Sequence, residues 1–208
     1  MPKINSMRLV GVICAAALVS STYLSYVSAQ TSHIRSSVLR MHVVANSSLE
    51  ADRQLKLAVK DAVTDRCGFL FRDCGSAAEA AETAQNNIGF IKYVAEDTLR
   101  KLGSSFEVSC SIGSCSFPTK RYGEDNGILT LPAGDYTALN IMIGSAEGEN
   151  WWCVMYPPLC FVDGVAELPE ASEELLSGEL SSSETELITE PDKPQVRIKF
   201  KLAELLGR

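Results

Sequence analysis

The chain begins with a long run of apolar positions that no charged residue interrupts. Residues 9–19 form its most apolar part, behind Lys3 and Arg8, and the uncharged stretch continues to Ala29. A short basic start followed by such a run is typical of an export signal, and Val27, Ser28 and Ala29 are small enough for signal peptidase cleavage at residue 29. An uncleaved anchor fits as well, because about 20 apolar residues cross a bilayer. Either way, we expect residues 30–208 outside the cytoplasm.

After this segment the apolar positions switch between the periods of strands and helices. Residues 38–45 alternate, with Leu39, Met41 and Val43 on one face and Arg40 and His42 on the other, which predicts a half-buried strand. Apolar residues then recur at helical spacing through residues 49–69 and again, with many alanines, through residues 77–102. The first half of the domain therefore predicts one strand followed by two helices.

The period returns to two in the second half of the chain. Residues 106–112 and 136–143 alternate as strands, a short strand is possible at 128–131, and residues 195–202 alternate well enough to close the sheet. Strands that follow a pair of helices indicate an α+β fold. We predict a single domain over residues 30–208, with a mostly antiparallel sheet covered on one face by two helices.

The negative charge of the chain is concentrated in one segment. The formal net charge is −7, but residues 163–192 contain ten Asp or Glu and no Lys or Arg. Few bulky apolar residues interrupt this stretch, so we predict a flexible acidic insert over residues 163–194 that stays solvated. The remaining exported part carries little net charge, and a nucleic acid is therefore not an expected partner.

The cysteines fit a disulfide framework better than a metal site. Seven are present, and Cys14 lies in the export segment. The other six are an even number in an exported chain, which favours disulfides, although their connectivity stays open. Three short-loop bridges are the first hypothesis; they would join Cys67 to Cys74, Cys110 to Cys115 and Cys153 to Cys160. The spacings contain no paired CxxC elements, so neither zinc nor a cofactor is predicted.

Several stretches carry a family resemblance. LRMHVVANS at residues 39–47, FPTKRYG at 117–123, LPAGDYTALNIMIG at 131–144 and GENWWCVMYPPLCFVDG at 148–164 occur in this order behind the signal-like start. Together they resemble the stage II sporulation protein R family. The resemblance implies a signal that is exported from the forespore into the space between the forespore and mother-cell membranes. There it would trigger a membrane-embedded aspartic protease, the sporulation sigma-E factor-processing peptidase, without being an enzyme itself.

The two tryptophans are the strongest candidates for partner contact. Trp151 and Trp152 are adjacent, so in an extended backbone they face opposite ways, and an outward-facing one would anchor a partner. The alternative is that both belong to the core. The other candidates are Arg40, His42, Asn46, Lys120, Arg121 and Tyr122. We expect the turn at residues 120–122 and the tryptophan segment to form one face that binds the extracytoplasmic surface of the protease.

Two other classes of function stay open on the sequence. A cell-wall module would use the tryptophans to stack on peptidoglycan sugars. A thiol oxidoreductase would need a reactive Cys153 or Cys160, with a base to lower the thiol pKa. The chain has only two histidines, His33 and His42, and no spacing pairs either of them with those cysteines. No catalytic residue is therefore predicted.

Overall fold

The computed structural model describes residues 6–123, 129–159 and 170–189. The helices are α1 Ser6–Ser36, α2 Glu50–Cys67, α3 Ala77–Asn86, α4 Ile88–Lys101, α5 Glu170–Glu179 and α6 Ser182–Thr189, and a short 3-10 turn, Gly68–Phe71, follows α2. The strands are β1 Leu39–Val44, β2 Val108–Phe117, β3 Lys120–Tyr122, β4 Leu129–Leu131, β5 Gly134–Ile143 and β6 Asn150–Tyr156. The fold is α+β, as the sequence predicts.

A four-stranded sheet with the order β2-β5-β1-β6 forms the centre of the domain. The β2–β5 and β1–β6 pairs are antiparallel, and β1 runs parallel to β5. The prediction of a mostly antiparallel sheet is confirmed, but it did not include β6. In that strand both tryptophans and Cys153 are consecutive, so no alternation of apolar and polar residues marks it. The closing strand predicted at residues 195–202 lies outside the described residues.

Helices α2, α3 and α4 cover one face of the sheet. Their buried side chains include Val59, Val63, Ala80, Ala84 and Ile91, which pack with Met41, Val43, Leu139 and Ile141 of the sheet. The sequence predicted one helix where α3 and α4 are separate. The break occurs at Asn87, whose side-chain amide donates to the Thr83 carbonyl at 2.8 Å. Asparagine side chains that bond nearby backbone in this way compete with helix continuation.

The opposite face of the sheet is also covered, which differs from the predicted one-sided arrangement. The last turn of α1, the β3–β4 ribbon and helices α5 and α6 lie over it and bury Ile34, Tyr122, Leu129, Leu131, Leu176, Leu180 and Ile188. Two of these helices lie within the acidic segment for which a solvated loop was expected. The structure differs because Leu176 in α5, Leu180 directly after it and Ile188 in α6 pack into one buried cluster on this face. Residues 163–169 and 190–194 lie outside the described residues.

Helix α1 continues through the predicted cleavage site and into the domain. Its Val10–Ser36 stretch, with a mean hydropathy of 1.7, is long and apolar enough to cross a membrane. This fits a signal peptide or a membrane anchor, and most of its apolar side chains are exposed. Ile34, however, is 0% exposed and packs against the sheet. The end of the helix beyond Ala29 is therefore part of the folded domain.

Asp97 connects α4 to α2 through several cations. Its carboxylate lies 3.0 Å from Arg66 and 2.9 Å from Lys101. The hydrogen bonds that Lys101 and Arg66 donate hold the pKa of Asp97 below its usual value of about 3.9. A lowered pKa in the folded state means that this carboxylate stabilises the fold above about pH 4, and that the contribution is lost as the pH falls through the folded-state pKa.

We therefore expect Asp97→Asn to reduce the acid sensitivity of the fold. The variant should unfold at lower urea concentration than wild type at pH 7, and it should lose less of its remaining stability between pH 5 and pH 3. Urea unfolding at several pH values measures both effects. Glu96→Gln, which removes a neighbouring carboxylate paired with Lys92 across one helical turn, is the control and should keep the wild-type pH dependence. Equal pH dependence in Asp97→Asn and wild type would contradict the assignment.

The turn between β5 and β6 approaches the start of α2 closely. A Cβ atom added at Gly148 would overlap the backbone carbonyl of Ser47. Because backbone atoms cannot rotate away, Gly148→Ala should lower the free energy of unfolding by about 2–3 kcal/mol. Gly113→Ala is the matched control, since nothing lies within 4 Å of an added Cβ there. Thermal unfolding of both variants tests this, and equal stability of the two would show that the turn moves freely.

Candidate functional site

A pocket lies at the β6 edge of the sheet, and we call it the tryptophan pocket. Its volume is about 310 Å³, and it is lined by Arg53, Lys56, Leu57, Lys120, Glu149, Asn150, Trp151 and Trp152. Helix α2 supplies the first three of these side chains, the β3–β4 ribbon supplies Lys120, and β6 with the residue before it supplies the others. The pocket therefore joins elements from both faces of the sheet.

The two tryptophans reach the same pocket from opposite faces. Trp151 packs against the residues under α2–α4, and Trp152 packs against those of the other face. Adjacent residues of a strand point to opposite sides, and β6 is the last strand in the order of the described sheet. Both indoles therefore border its edge, where each is only partly buried. The sequence left open whether one tryptophan is outward or both are core, and the structure gives an intermediate arrangement.

The walls of the tryptophan pocket carry more positive than negative charge. Glu149 accepts from Arg53 Nε at 3.0 Å, and Lys56 Nζ lies 3.8 Å from the same carboxylate. Burial lowers the pKa of Lys56, which is 4% exposed, and Glu149 opposes that shift. Lys120 takes no part in this pairing. Three cations against one carboxylate leave a formal charge of +2 on the lining.

Unused hydrogen-bond donors add to this positive character. The indole Nε1 atoms of Trp151 and Trp152 are buried and have no hydrogen-bond partner in the described part of the chain. Buried donors without a partner are uncommon in folded proteins, because each one loses its hydrogen bond to water. Lys60 Nζ, which is paired with Asp61, lies 4.8 Å from the centre of the Trp151 ring. The pocket is therefore suited to an anionic group such as a carboxylate.

A buried arginine lies in the middle of the sheet on the side of α1, α5 and α6. Arg40 is 0% exposed, and its guanidinium carbon lies 4.0 Å from the centre of the Phe117 ring and 4.8 Å from that of Tyr136. Arg40 Nε donates to the Cys153 carbonyl at 3.4 Å, and an Nη donates to the Tyr122 hydroxyl. Burial lowers the pKa of Arg40, while the two tyrosines partly counter the shift. Its other Nη has no hydrogen-bond partner among the described residues.

His42 on β1 links the Cys115 thiol of β2 to the Asn150 amide of β6. Its Nε2 lies 2.6 Å from Asn150 Oδ1, and its Nδ1 lies 3.3 Å from Cys115 Sγ. An amide oxygen only accepts, so Nε2 carries the hydrogen and Nδ1 of the neutral ring accepts from the Cys115 thiol. The Trp152 ring stacks on the imidazole with centroids 6.1 Å apart and an interplanar angle of 6°. We call this arrangement the Cys115–His42–Asn150 chain.

The structure brings together only some of the predicted contact residues. Lys120, Trp151 and Trp152 share the tryptophan pocket. Arg40, His42 and Tyr122 were expected on a solvent-facing surface, and this is corrected: they are 0%, 8% and 5% exposed, because the second layer of elements covers that face. Arg121 is exposed on the β3–β4 ribbon.

Asn46 is half-buried, and its side chain has a structural role. Its Oδ1 accepts from the Ser145 backbone N–H at 3.0 Å, and its Nδ2 donates to Asp52 at 2.9 Å. Hydrogen bonds donated by Ser47 and, to a lesser extent, by Asn46 lower the pKa of Asp52. Asn46 thus connects the β5–β6 turn to α2, and this explains its place at the end of the first strand.

The cysteine hypothesis is corrected for four residues. Cys67, Cys74, Cys110 and Cys115 are free thiols. Cys110 and Cys115 belong to one strand at an odd separation, so they point to opposite faces, and five residues of strand place them well beyond bridging distance. Cys74 directs its sulfur to the Leu70 carbonyl and the Thr83 hydroxyl, at 3.8 Å and 3.7 Å.

Cys153 is the disulfide-bonded cysteine of the described residues. Its predicted partner, Cys160, lies outside the residues that the structure describes. Since its sulfur is already engaged, Cys153 does not offer the thiol that an oxidoreductase would need. In the described ranges no group of three or more His, Cys, Asp or Glu side chains could hold a metal ion.

Sequence reasoning missed the cationic side of the pocket and the partners of His42. Arg53 and Lys56 are ordinary polar positions of a helix, and nothing in their spacing shows that α2 lies beside β6. Residues 42, 115 and 150 are far apart in the chain, so only the register of the sheet brings them together. Cys115 was noticed as one of the six exported cysteines, but it was assigned from the sequence to a local disulfide with Cys110.

The chain combines an α+β domain, a cationic pocket at its sheet edge and an N-terminal helix that is consistent with a signal peptide or a membrane anchor. The family model for Stage II sporulation protein R matches residues 35–166, and the chain belongs to this family. That range holds both the tryptophan pocket and the Cys115–His42–Asn150 chain.

A curated relative supports the assignment. The chain is 37% identical over 152 residues to Stage II sporulation protein R of Bacillus subtilis (strain 168), a match that covers 73% of this chain and 65% of the relative. The match therefore spans slightly less than two thirds of that protein. No solved structure matches the chain. Family membership gives the protein a role in sporulation.

Proposed function

We propose that the protein is an exported signal of sporulation that binds the extracytoplasmic surface of the sigma-E factor-processing peptidase. Binding would trigger that membrane-embedded aspartic protease to cut the inactive precursor of the mother-cell sigma factor E. The protein would act in the space between the forespore and mother-cell membranes, either released or held by α1. Membership in the Stage II sporulation protein R family supports this role.

The observation that carries the proposal is the tryptophan pocket. Aromatic side chains that are partly accessible at a rigid edge anchor partners well, because they bury a large area with little loss of rotamer entropy. The pocket adds a formal charge of +2 and two buried indole N–H groups without partners. A partner segment with an acidic side chain would neutralise the charge and satisfy the donors. We therefore propose that the peptidase presents an acidic residue to this pocket.

Co-expression tests the role itself. The chain, the candidate peptidase and the sigma factor precursor are produced together in a non-sporulating bacterial host, and precursor cleavage is followed by immunoblot. We expect cleavage with the full chain and none with a variant lacking residues 1–29, which keeps Ile34 and the domain but is not exported. Cleavage that is independent of the chain, or equal with the cytosolic variant, would remove the proposal.

Charge reversal at the tryptophan pocket tests where the contact lies. Lys120→Glu leaves the Arg53–Glu149 pair intact but places a carboxylate where an acidic partner residue would bind. We expect at least a tenfold weaker response in the cleavage assay, which corresponds to about 1.4 kcal/mol of binding free energy. Lys92→Glu on α4 is the matched control. This variant should support normal cleavage of the precursor, because the substitution breaks only the exposed pair with Glu96. Normal precursor cleavage with a folded, exported Lys120→Glu protein would show that the peptidase does not bind at the tryptophan pocket.

A further inference from the structure

We propose that Cys115, His42 and Asn150 form a thiol acyl-transfer site that acts on peptide amides or esters next to an acidic residue. The proposal goes beyond the signalling role. It rests on a geometry: the Cys115 thiol is 3.3 Å from His42 Nδ1, and Asn150 Oδ1 is 2.6 Å from His42 Nε2. Cysteine as nucleophile, histidine as base and asparagine as its orienting partner recur in thiol hydrolases, and such sites are recognised by geometry and roles across unrelated folds.

Each ring nitrogen of His42 has a defined role. The Asn150 oxygen accepts from Nε2–H and so selects the tautomer whose Nδ1 is free to take the proton of Cys115. Trp152 covers one face of the imidazole, and Phe117 meets it edge-on with ring centroids 6.0 Å apart. These rings restrict rotation of His42 about its side-chain bonds. Asn150 therefore acts as a positioning residue, while Cys115 and His42 are the groups that would touch the substrate.

Arg40 is a second observation that points to negative charge at this position. In the described part of the chain no carboxylate is among the groups that act on Arg40, and one of its Nη atoms has no hydrogen-bond partner. A buried cation without a counter-ion lowers stability, so its retention calls for a function. Burial raises the pKa of the Cys115 thiol, the charge of Arg40 acts against this rise, and the Asp135 carboxylate adds to it. Arg40 would thus stabilise a thiolate or an oxyanion that forms beside it.

The position of Asn150 indicates the class of substrate. Asn150 and Trp152 line the tryptophan pocket and also contact His42, so the pocket borders the chain of three residues. Its formal charge of +2 favours a substrate with a carboxylate close to the reacting carbonyl. Cys115 itself is partly accessible on β2, the other end strand in the order of the described sheet. An acidic peptide fits these features.

The reaction balances without any oxidant or cofactor. His42 Nδ1 takes the thiol proton as Cys115 Sγ bonds to the carbonyl carbon. The bond from that carbon to the leaving nitrogen or oxygen breaks, and the leaving group takes the proton from His42. Water then gives a proton to His42 while its oxygen bonds to the thioester carbon. The carbon–sulfur bond breaks, the acid is released, and the Cys115 sulfur recovers its proton.

Thiol reactivity in the native, full-length protein is the first arm of the test. Iodoacetamide labelling at pH 7 is followed for each cysteine by mass spectrometry. Cys110 is the matched control because it lies on the same strand, is also partly accessible, and has a pKa raised to about 12 by burial. We expect Cys115 to react at least about tenfold faster than Cys110, because the His42 imidazole lies beside its thiol as a base. Equal rates would overturn the proposal.

Variants of His42 and Asn150 distinguish a role in the reactivity of Cys115 from a purely structural role. His42→Gln should slow labelling of Cys115 on the order of tenfold and leave Cys110 unchanged. Asn150→Ala should slow it and alter the pH profile of labelling, whereas Asn150→Asp, which keeps an acceptor for Nε2–H, should restore the rate. A merely structural role of Asn150 would leave the pH profile unchanged, and that result would remove it from the site.

The second arm measures acyl transfer directly. With p-nitrophenyl acetate we expect a burst of one nitrophenolate per chain and an acetyl group on Cys115, both absent in Cys115→Ser and Cys115→Ala. Fluorogenic peptides with Asp or Glu beside the scissile amide should be cleaved at least about tenfold faster than Lys analogues. A reactive thiol that gives neither acyl-enzyme nor product would overturn the proposal. These assays contain no peptidase, so their outcome is independent of the signalling role.

Discussion

Arg40→Ala is expected to lower the free energy of unfolding by about 3–5 kcal/mol, the range seen when a large buried side chain is truncated. The guanidinium packs against the Phe117 and Tyr136 rings, and its Nε donates to the Cys153 carbonyl. Truncation leaves the space of the side chain empty and removes a cation from the faces of two aromatic rings. Each desolvated cation–π contact is worth about 2 kcal/mol. Urea unfolding followed by tryptophan fluorescence gives the magnitude.

Arg40→Met is the matched control for this prediction, because it keeps an unbranched side chain of similar length and removes the charge. Methionine retains the packing against the rings, and the cost of burying a charge without a counter-ion disappears. That relief offsets the lost cation–π contacts, since replacing buried charges with hydrophobic residues is often neutral or stabilising. We therefore expect Arg40→Met to stay within about 1.5 kcal/mol of wild type. If both variants lose the same stability, the charge and not the volume of Arg40 holds this face together.

The two Arg40 variants also show what a sequence can reveal about this face. The alternation of residues 38–45 correctly placed Arg40 and His42 on the face opposite Met41 and Val43. The same alternation made that face a solvent-exposed one, because polar residues on alternate positions usually meet water. Whether a second layer covers the face depends on elements elsewhere in the chain. That information is non-local, and a period of two does not carry it.

The helices and strands were predictable where one period persisted over many residues. Strand β1, helix α2 and strand β5 follow from their periodicity, and the Ser76 cap of α3 follows from its spacing to Glu79. Strand β6 was missed because its tryptophans border a sheet edge and both face partly buried surroundings. The candidate site shares that difficulty, since Trp152, His42 and Cys115 meet only through the β6-β1-β5-β2 strand order.

The acidic segment gives the clearest case of composition misleading a prediction. Its charge and its low content of apolar residues favoured a loop, because such segments rarely bury enough surface to order themselves. In the structure Leu176 is 2% exposed, Leu180 is 5% exposed and Ile188 is 0% exposed. Tertiary packing therefore outweighs composition here: a few apolar residues in and beside two short helices are buried because they pack in one cluster with α1 and the β3–β4 ribbon.

Ile188→Ala is the second large effect that we expect, at about 2–4 kcal/mol of lost stability, because it would leave a cavity in the packing over the Arg40 face. Ile188 packs in the same buried cluster as Ile34, Leu129 and Leu131. We therefore expect the substitution to weaken the packing of α1 and of the β3–β4 ribbon as well. Glu186→Ala, an exposed position on the same helix, is the matched control and should change stability by less than about 0.5 kcal/mol.

Hydrogen exchange provides the discriminating measurement for this pair of variants. If α6 is part of the cooperative domain, Ile188→Ala should accelerate exchange in β1 and β5 as well as in α6, since opening then follows the global free energy of unfolding. Acceleration confined to residues 182–189 would mean that α6 opens independently of the sheet.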